Sequence, residues 1–187
     1  MGSNAGGRSG SGSGVQPSYG GGRYYGGGAR VPYAAGGRSP AGLVALGLLP
    51  IAGLAFFAGA WLYPAYLYPY SHPYTFHNAS ANNGTGANQT KPVKCLCQQY
   101  SVCGCDENDD QSYLASLLGN GSTEALNSSL VRVANVNNTD TIFLNGTLPN
   151  GTTAAGGSDS AAALNLPHKA LGYVVIATAV TLAVFSL

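Results

Sequence analysis

Four cysteines carry the most chemistry in this 187-residue chain: Cys95, Cys97, Cys103 and Cys105, all within eleven residues. An even, close-set group of cysteines in an oxidising compartment is disulfide chemistry. Closing a bridge inside either C-x-C demands a strained small ring, which leaves a nested and a crossed pairing. If the segment is a hairpin, Cys95 faces Cys105 and Cys97 faces Cys103. The two cysteines of each arm then share a face, because strand side chains repeat every two residues. The nested pattern is the expectation and the crossed pattern the alternative. Four thiolates also hold zinc, and His72 and His77 lie upstream. The spacing is not the C-x2-C of common zinc modules, however, and no C-x-x-C is present for a redox role.

Other reactive groups are sparse. The three histidines (His72, His77, His168) sit in Pro-rich or polar flanks, and no G-x-S-x-G, H-E-x-x-H or P-loop occurs. Paired carboxylates occur in Asp106-Glu107-Asn108-Asp109-Asp110. Its D-x-N-x-D opening resembles a calcium loop, but Gln111 and Leu117 replace the Gly and Glu such a loop needs. A helix start fits better: Asp109 or Asp110 caps Gln111–Leu118. Tyr113, Leu114, Leu117 and Leu118 form its apolar stripe, and Gly119 ends it. The reading is non-enzymatic, with no catalytic residue, no cofactor and no metal.

Eight N-x-[ST] glycan acceptors fall between residues 78 and 150: Asn78, Asn83, Asn88, Asn120, Asn127, Asn137, Asn145 and Asn150. They place this stretch in the lumen or outside the cell. Charge supports that topology. Only 8% of residues are charged, against roughly 25% in an ordinary soluble domain. The net charge of +1 gives no electrostatic case for nucleic acid. Arg8, Arg23, Arg30 and Arg38 precede a window, Ser39–Thr90, that holds no charge. Within it, Ala41–Tyr63 is apolar and long enough for a transmembrane helix. The arginines before it put the N-terminus in the cytoplasm, and Trp61 with the following tyrosines forms an interfacial belt. Ala58-Gly59-Ala60 is an A-x-A pattern, so signal peptidase cleavage after Ala60 is the alternative to an uncleaved anchor.

Residues 1–40, rich in Gly, Arg and Tyr and free of Leu, Ile and Phe, read as a disordered tail. Residues 64–91 read as an aromatic, Pro-rich, glycosylated linker. Residues 92–150 read as a Cys-containing lumenal module: the stapled hairpin, helix 111–118, a second helix at Thr123–Leu130 capped by Ser122, and two strands. Those strands are 131–136 and 141–144, with Asn137–Asp140 as the turn. Residues 151–169 form a small-residue linker. Ala170–Leu187 is an apolar run, either a second membrane helix or the tail of a GPI signal attached at Ser158. Processing at both ends leaves a GPI-linked product near 61–158; processing at neither leaves two spans. The fold class is therefore membrane-anchored: an N-terminal transmembrane helix, a small disulfide-stapled α+β lumenal module, a C-terminal hydrophobic helix and largely disordered flanks. The expected partners are the lipid bilayer and cell-wall or other surface components.

The segments GGGRYYGGGARVPY, HPYTFHNAS, KPVKCLCQQYSVCGCDEND and LVRVANVNNTDTIFLNGTLPNGT, with the terminal apolar run, resemble an uncharacterised family of ascomycete fungal membrane proteins. That family is known only as a domain of unknown function. The resemblance implies a fungal secretory-pathway membrane protein and carries no activity, substrate or site residue.

Overall fold

A run of apolar residues without alternation is what a strand needs when both faces of its sheet are covered, and Thr141-Ile142-Phe143-Leu144 is such a run. In the computed structural model, which describes residues 14–55, 57, 61–122, 125–126 and 128–154, all four are buried. They lie in β9 (Thr139–Asn145), inside a five-stranded sheet. The sheet runs in the order β2 (Leu48–Leu49), β3 (Ala65–Pro69), β6 (Val93–Gln98), β9 and β8 (Val131–Val136). Only β6 and β9 pair in parallel. Among the described residues, two smaller antiparallel pairs complete the strands. One joins β1 (Gly28–Ala34) to β7 (Val102–Cys105); the other joins β4 (Tyr74–Asn78) to β5 (Ala87–Lys91).

Register assigns the two faces. Tyr66 lies opposite Cys97, Tyr68 opposite Cys95, and Cys95 opposite Leu144. These side chains meet Tyr24, Tyr33, Tyr74 and Tyr113 in one core cluster. Helix α2 (Gln111–Leu118), which follows the one-turn α1 (Ala81–Gly84), closes this side with Tyr113, Leu114, Leu117 and Leu118, all buried. It begins where expected: the Asp110 side chain accepts the Ser112 N–H at 2.9 Å, and Gly119 is its C-cap. The other face carries Ala65, Leu96 and Phe143. Leu54 and Phe57 cover it, with Trp61 packed beside them.

This second cover corrects the transmembrane expectation for 41–63. The segment has no regular structure from Gly42 to Gly47, pairs briefly as β2, and makes one turn of 3-10 helix at Ile51–Leu54. Among the described residues no helix is long and apolar enough to cross a membrane. The apolar residues serve the sheet: Leu54 is 1% exposed and Phe57 4%. Ala58, Gly59 and Ala60 of the cleavage pattern lie outside the described residues.

The disordered-tail expectation also fails from residue 14 onward. Tyr24, Tyr25, Ala29 and Tyr33 are buried. With no Leu, Ile or Phe, the segment relies on tyrosine rings, each worth a large apolar area. β1 is hydrogen-bonded to β7, with Gly28 opposite Cys105 and Tyr33 opposite Cys103. Residues 28–34 and 102–105 therefore share one side of any membrane, and the arginine argument for a cytoplasmic N-terminus has no footing. Cleavage after Ala60 would also strip β1, β2, Leu54 and Phe57 from the core. Nor is 64–91 a linker, since it supplies β3, β4 and β5.

The β8–β9 hairpin is local and follows its sequence. Asn137 and Asn138 both adopt left-handed backbone, φ 51° and 61°, the geometry of a two-residue turn that asparagine tolerates. β9 accordingly starts at Thr139, two residues earlier than expected. No helix forms at 125–126 or 128–130, which are turn and bends; Thr123, Glu124 and Asn127 lie outside the described residues. So do residues 1–13 and 155–187, with Ser158 and the apolar run Ala170–Leu187.

Candidate functional site

The two bridges are Cys95–Cys105 and Cys97–Cys103, the nested arrangement, with Cα–Cα distances of 5.7 and 5.5 Å. The supporting geometry is not a simple hairpin. β6 belongs to the five-stranded sheet and β7 pairs with β1, so the bridges tie two sheets together. All four cysteines are fully buried. The bridges also touch each other, with Cys97 Sγ 3.3 Å from Cys105 Sγ. The sulfurs of Cys97, Cys103 and Cys105 lie within 4.8 Å of one another, close enough for a metal ion. In the bridged state, however, all four cysteines are paired. A thiolate site would require both bridges to be reduced.

Two glycines make room for the sulfurs. Gly146 donates its N–H to the Leu96 carbonyl and accepts the Gly104 N–H, each at 2.8 Å. A Cβ there would stand 2.7 Å from Cys95 Sγ and 3.1 Å from Cys97 Sγ. At Gly27 a Cβ would stand 2.5 Å from the Gly104 carbonyl and 2.9 Å from Cys95 Sγ. Neither backbone nor bridged sulfur can swing aside. Gly146→Ala and Gly27→Ala are each expected to cost about 1–3 kcal/mol, read as a lowered urea midpoint. An unchanged midpoint would mean the bridges do not pack as described. Neither position stands out in the sequence, where Gly146 is the middle residue of the Asn145 glycan acceptor and Gly27 lies in the Gly-rich segment 1–40.

Tyrosine hydroxyls wire the glycine-rich segment to the core. Tyr113 donates to the Gly26 carbonyl at 2.9 Å, Tyr70 to Gly27 at 2.5 Å, and Tyr68 to Gly37 at 3.0 Å. Tyr33 donates to the Cys105 carbonyl at 2.6 Å. Burial raises the pKa of all four, so they act as donors with no role as proton carriers near neutral pH. Tyr24, Tyr74 and Tyr113 add edge-to-face ring contacts.

The acidic run after the cysteines holds three different segments. Asp106 is buried; its carboxylate accepts the Ser39 hydroxyl at 2.5 Å and the Ala41 N–H at 3.2 Å. Burial raises its pKa against those hydrogen bonds. Glu107 accepts the Ser71 N–H at 3.0 Å, and the His72 N–H and ring Nδ1 at 2.6 Å each. Its partial burial opposes ionisation, but these hydrogen bonds prevail and lower its pKa. With Asp109, Gln111 and Leu114, the His72–Glu107 pair borders a cleft of about 430 Å³. Asp110 caps α2. Its carboxylate accepts the Ser112 hydroxyl and the Tyr24 hydroxyl, and pairs with Arg23 at 3.1 Å. The Ser112 hydroxyl, then Tyr24, with a smaller share from Arg23, holds its pKa at about 2. Asp106, Glu107 and Asp110 thus diverge toward three different segments, which disfavours the calcium-loop alternative.

Because the folded pKa of Asp110 lies below the ordinary aspartate value of about 3.9, its stabilising effect is present at neutral pH. It is lost as pH falls toward the folded value. A carboxyl-carbon NMR titration is expected to place its midpoint at about 2. An ordinary aspartate midpoint would break the network as described.

The glycan acceptors map largely to the surface. Asn83, Asn88, Asn120, Asn137 and Asn150 are exposed, Asn78 and Asn145 are half-buried, and Asn127 lies outside the described residues. At Asn78, Asn120 and Asn145 the side-chain oxygen accepts the N–H of the residue two positions on, Ser80, Ser122 or Thr147. The Asn78 amide nitrogen also donates to Gln89 at 3.1 Å.

These features define a small, mixed, sheet-rich module held by two buried disulfides around a tyrosine core. The chain belongs to the family described as Domain of unknown function (DUF7732), which matches residues 24–152, well over half of its length. The matched region begins inside the glycine- and tyrosine-rich segment and takes in 41–63, both part of the core. No curated protein and no solved structure matches the chain.

Proposed function

We propose that the chain is a glycosylated module of the secretory pathway or cell surface, with a structural or interaction role and no catalysis. The observation that carries this reading is the pair of fully buried bridges. Such bridges persist in oxidising compartments and stabilise small domains there. The exposed acceptor asparagines support it, since glycans would supply the solubility that an 8% charged chain lacks. The apolar run Ala170–Leu187 would attach the module to a membrane as a span or through a lipid anchor at Ser158. A fungal cell surface or wall is the setting that the sequence resemblance implies.

Peptide mapping of the protein from its native source, with and without glycosidase, tests the reading. Occupancy is expected at exposed acceptors such as Asn83, Asn88 and Asn137. Unmodified asparagines across 78–150 would overturn it. Intact mass on the same sample should be two hydrogens per bridge below the reduced form.

A further inference from the structure

Besides Val15 and Val44, the exposed large apolar side chains among the described residues lie along the β2 edge and the adjoining end of the sheet. Leu46 and Leu48 follow the β2 edge, where Leu46 N–H donates to the Leu67 carbonyl at 2.9 Å. Ile51, Leu62, Tyr63 and Tyr100 collect at the end of the sheet where Ala65 lies opposite Gln98. Gln99 N–H donates to the Pro64 carbonyl at 2.8 Å, which holds the 99–101 turn against residues 63–64. The Tyr63 and Tyr100 rings meet edge to face with centroids 5.5 Å apart. Leu46, Leu62 and Tyr100 are 73%, 71% and 81% exposed. Tyr100 also holds a left-handed backbone, φ 68°, which a bulky residue rarely adopts. Strain of this kind persists where the surroundings impose it and clusters at functional surfaces.

We propose that this face rests on a lipid bilayer surface, with the aliphatic tips in the acyl boundary and the two tyrosine hydroxyls among the headgroups. Three observations favour lipid as the occupant. First, the face is uncharged: residues 39–90 and 99–102 contain no Lys, Arg, Asp or Glu. Tyrosine beside aliphatic residues is the composition that membrane interfaces favour. Second, the chain leaves the described module on this side. Ala154 shares a cleft with Tyr66, Gln99 and Tyr100, and the sequence from there leads to the apolar run Ala170–Leu187. Third, four glycan acceptors lie at the opposite end. Asn78, Asn83 and Asn88 sit on the β4–β5 hairpin and Asn137 on the β8–β9 turn. Both leave the sheet where Pro69 lies opposite Lys94 and Val93 opposite Ile142. Asn145 and Asn150 lie toward the exit end, Asn145 half-buried. A second copy is a poorer fit, since β2 offers only two residues for strand addition.

The chain carries its own reporter. Trp61, the single tryptophan, packs beside Phe57 next to Leu62. The full chain is reconstituted with phosphatidylcholine vesicles whose acyl chains are brominated, and Trp61 emission is read. Quenching is expected. A Leu46→Ser, Leu62→Ser, Tyr100→Ser variant, checked by mass for intact bridges, should stay vesicle-bound through Ala170–Leu187 yet lose about twofold or more of the quenching. Unquenched Trp61 in the bound wild-type chain would overturn the proposal. So would failure of the chain to bind vesicles, or a lipid-free dimer lost in the variant, which would assign the face to a second copy. The inference rests on the secretory reading for the membrane's identity, and peptide mapping tests that reading alone. Quenched Trp61 with unmodified asparagines would remove the secretory reading and leave the docking face.

Discussion

Reduction of the two bridges is expected to unfold the module. Cys95–Cys105 closes a loop of sequence separation 10, worth about 3 kcal/mol in chain entropy. Cys97–Cys103, at separation 6, lies inside that loop, so its entropic share does not add in full. Reduction also loosens the tie between two sheets packed around the same sulfurs. Domains of this size have only about 5–15 kcal/mol of net stability, and loss of native bridges from small secreted domains typically costs about 2–5 kcal/mol. Thermal melts with and without reductant check this, alongside a Cys95→Ser, Cys105→Ser variant. The melt should move down by on the order of 10 °C or lose its cooperativity. A melt unmoved by reductant would show that the tyrosine core holds the fold without the staples.

Phe57→Ala is expected to destabilise the module by about 3–5 kcal/mol, and Leu54→Ala by about 2–5 kcal/mol. Both side chains lie against Ala65, Leu96 and Phe143, and truncation leaves a cavity over the sheet. Leu62→Ala, at an exposed position, should stay within about 0.5 kcal/mol of the parent. Urea denaturation followed by circular dichroism separates the outcomes. If Ala41–Tyr63 were instead a membrane span, Phe57→Ala would leave the melt of the remaining module unchanged. The experiment thus decides between sheet and lipid as the phase that receives these side chains.

The features legible in the sequence are those set by neighbours along the chain. The Asp110 cap, the α2 stripe and Gly119 lie within ten residues of one another. The Asn137–Asn138 turn and its two strands lie within fifteen. Strand alternation across eleven residues made the nested bridges the expectation over the crossed ones, and the fold carries the nested pair. The features that were not legible depend on partners far away. Arg23 pairs with Asp110, Ser39 binds Asp106, and Gly27 faces Cys95 and Gly104. No local pattern announces such contacts, because the partners lie 67 to 87 residues apart along the chain, and composition is all that the arginines and glycines show by themselves.

By itself the sequence determined which groups must leave water and that its four cysteines lie close enough to bridge, because apolarity and spacing are properties of the chain; which cysteine meets which came from the fold. It did not determine the phase that receives the apolar groups. Leu54 and Phe57 gain about as much from a sheet face as from a hydrocarbon core, so 41–63 satisfied the requirements of a membrane helix equally well. Only the tertiary structure decided between them. β3, β6 and β9 present Ala65, Leu96 and Phe143 on one face, and Leu54 and Phe57 of that segment cover it. The same holds for residues 14–40: their glycines exclude a conventional aliphatic core. Tyrosine rings packed against two disulfides make an unconventional one, visible only once β1 is seen beside β7.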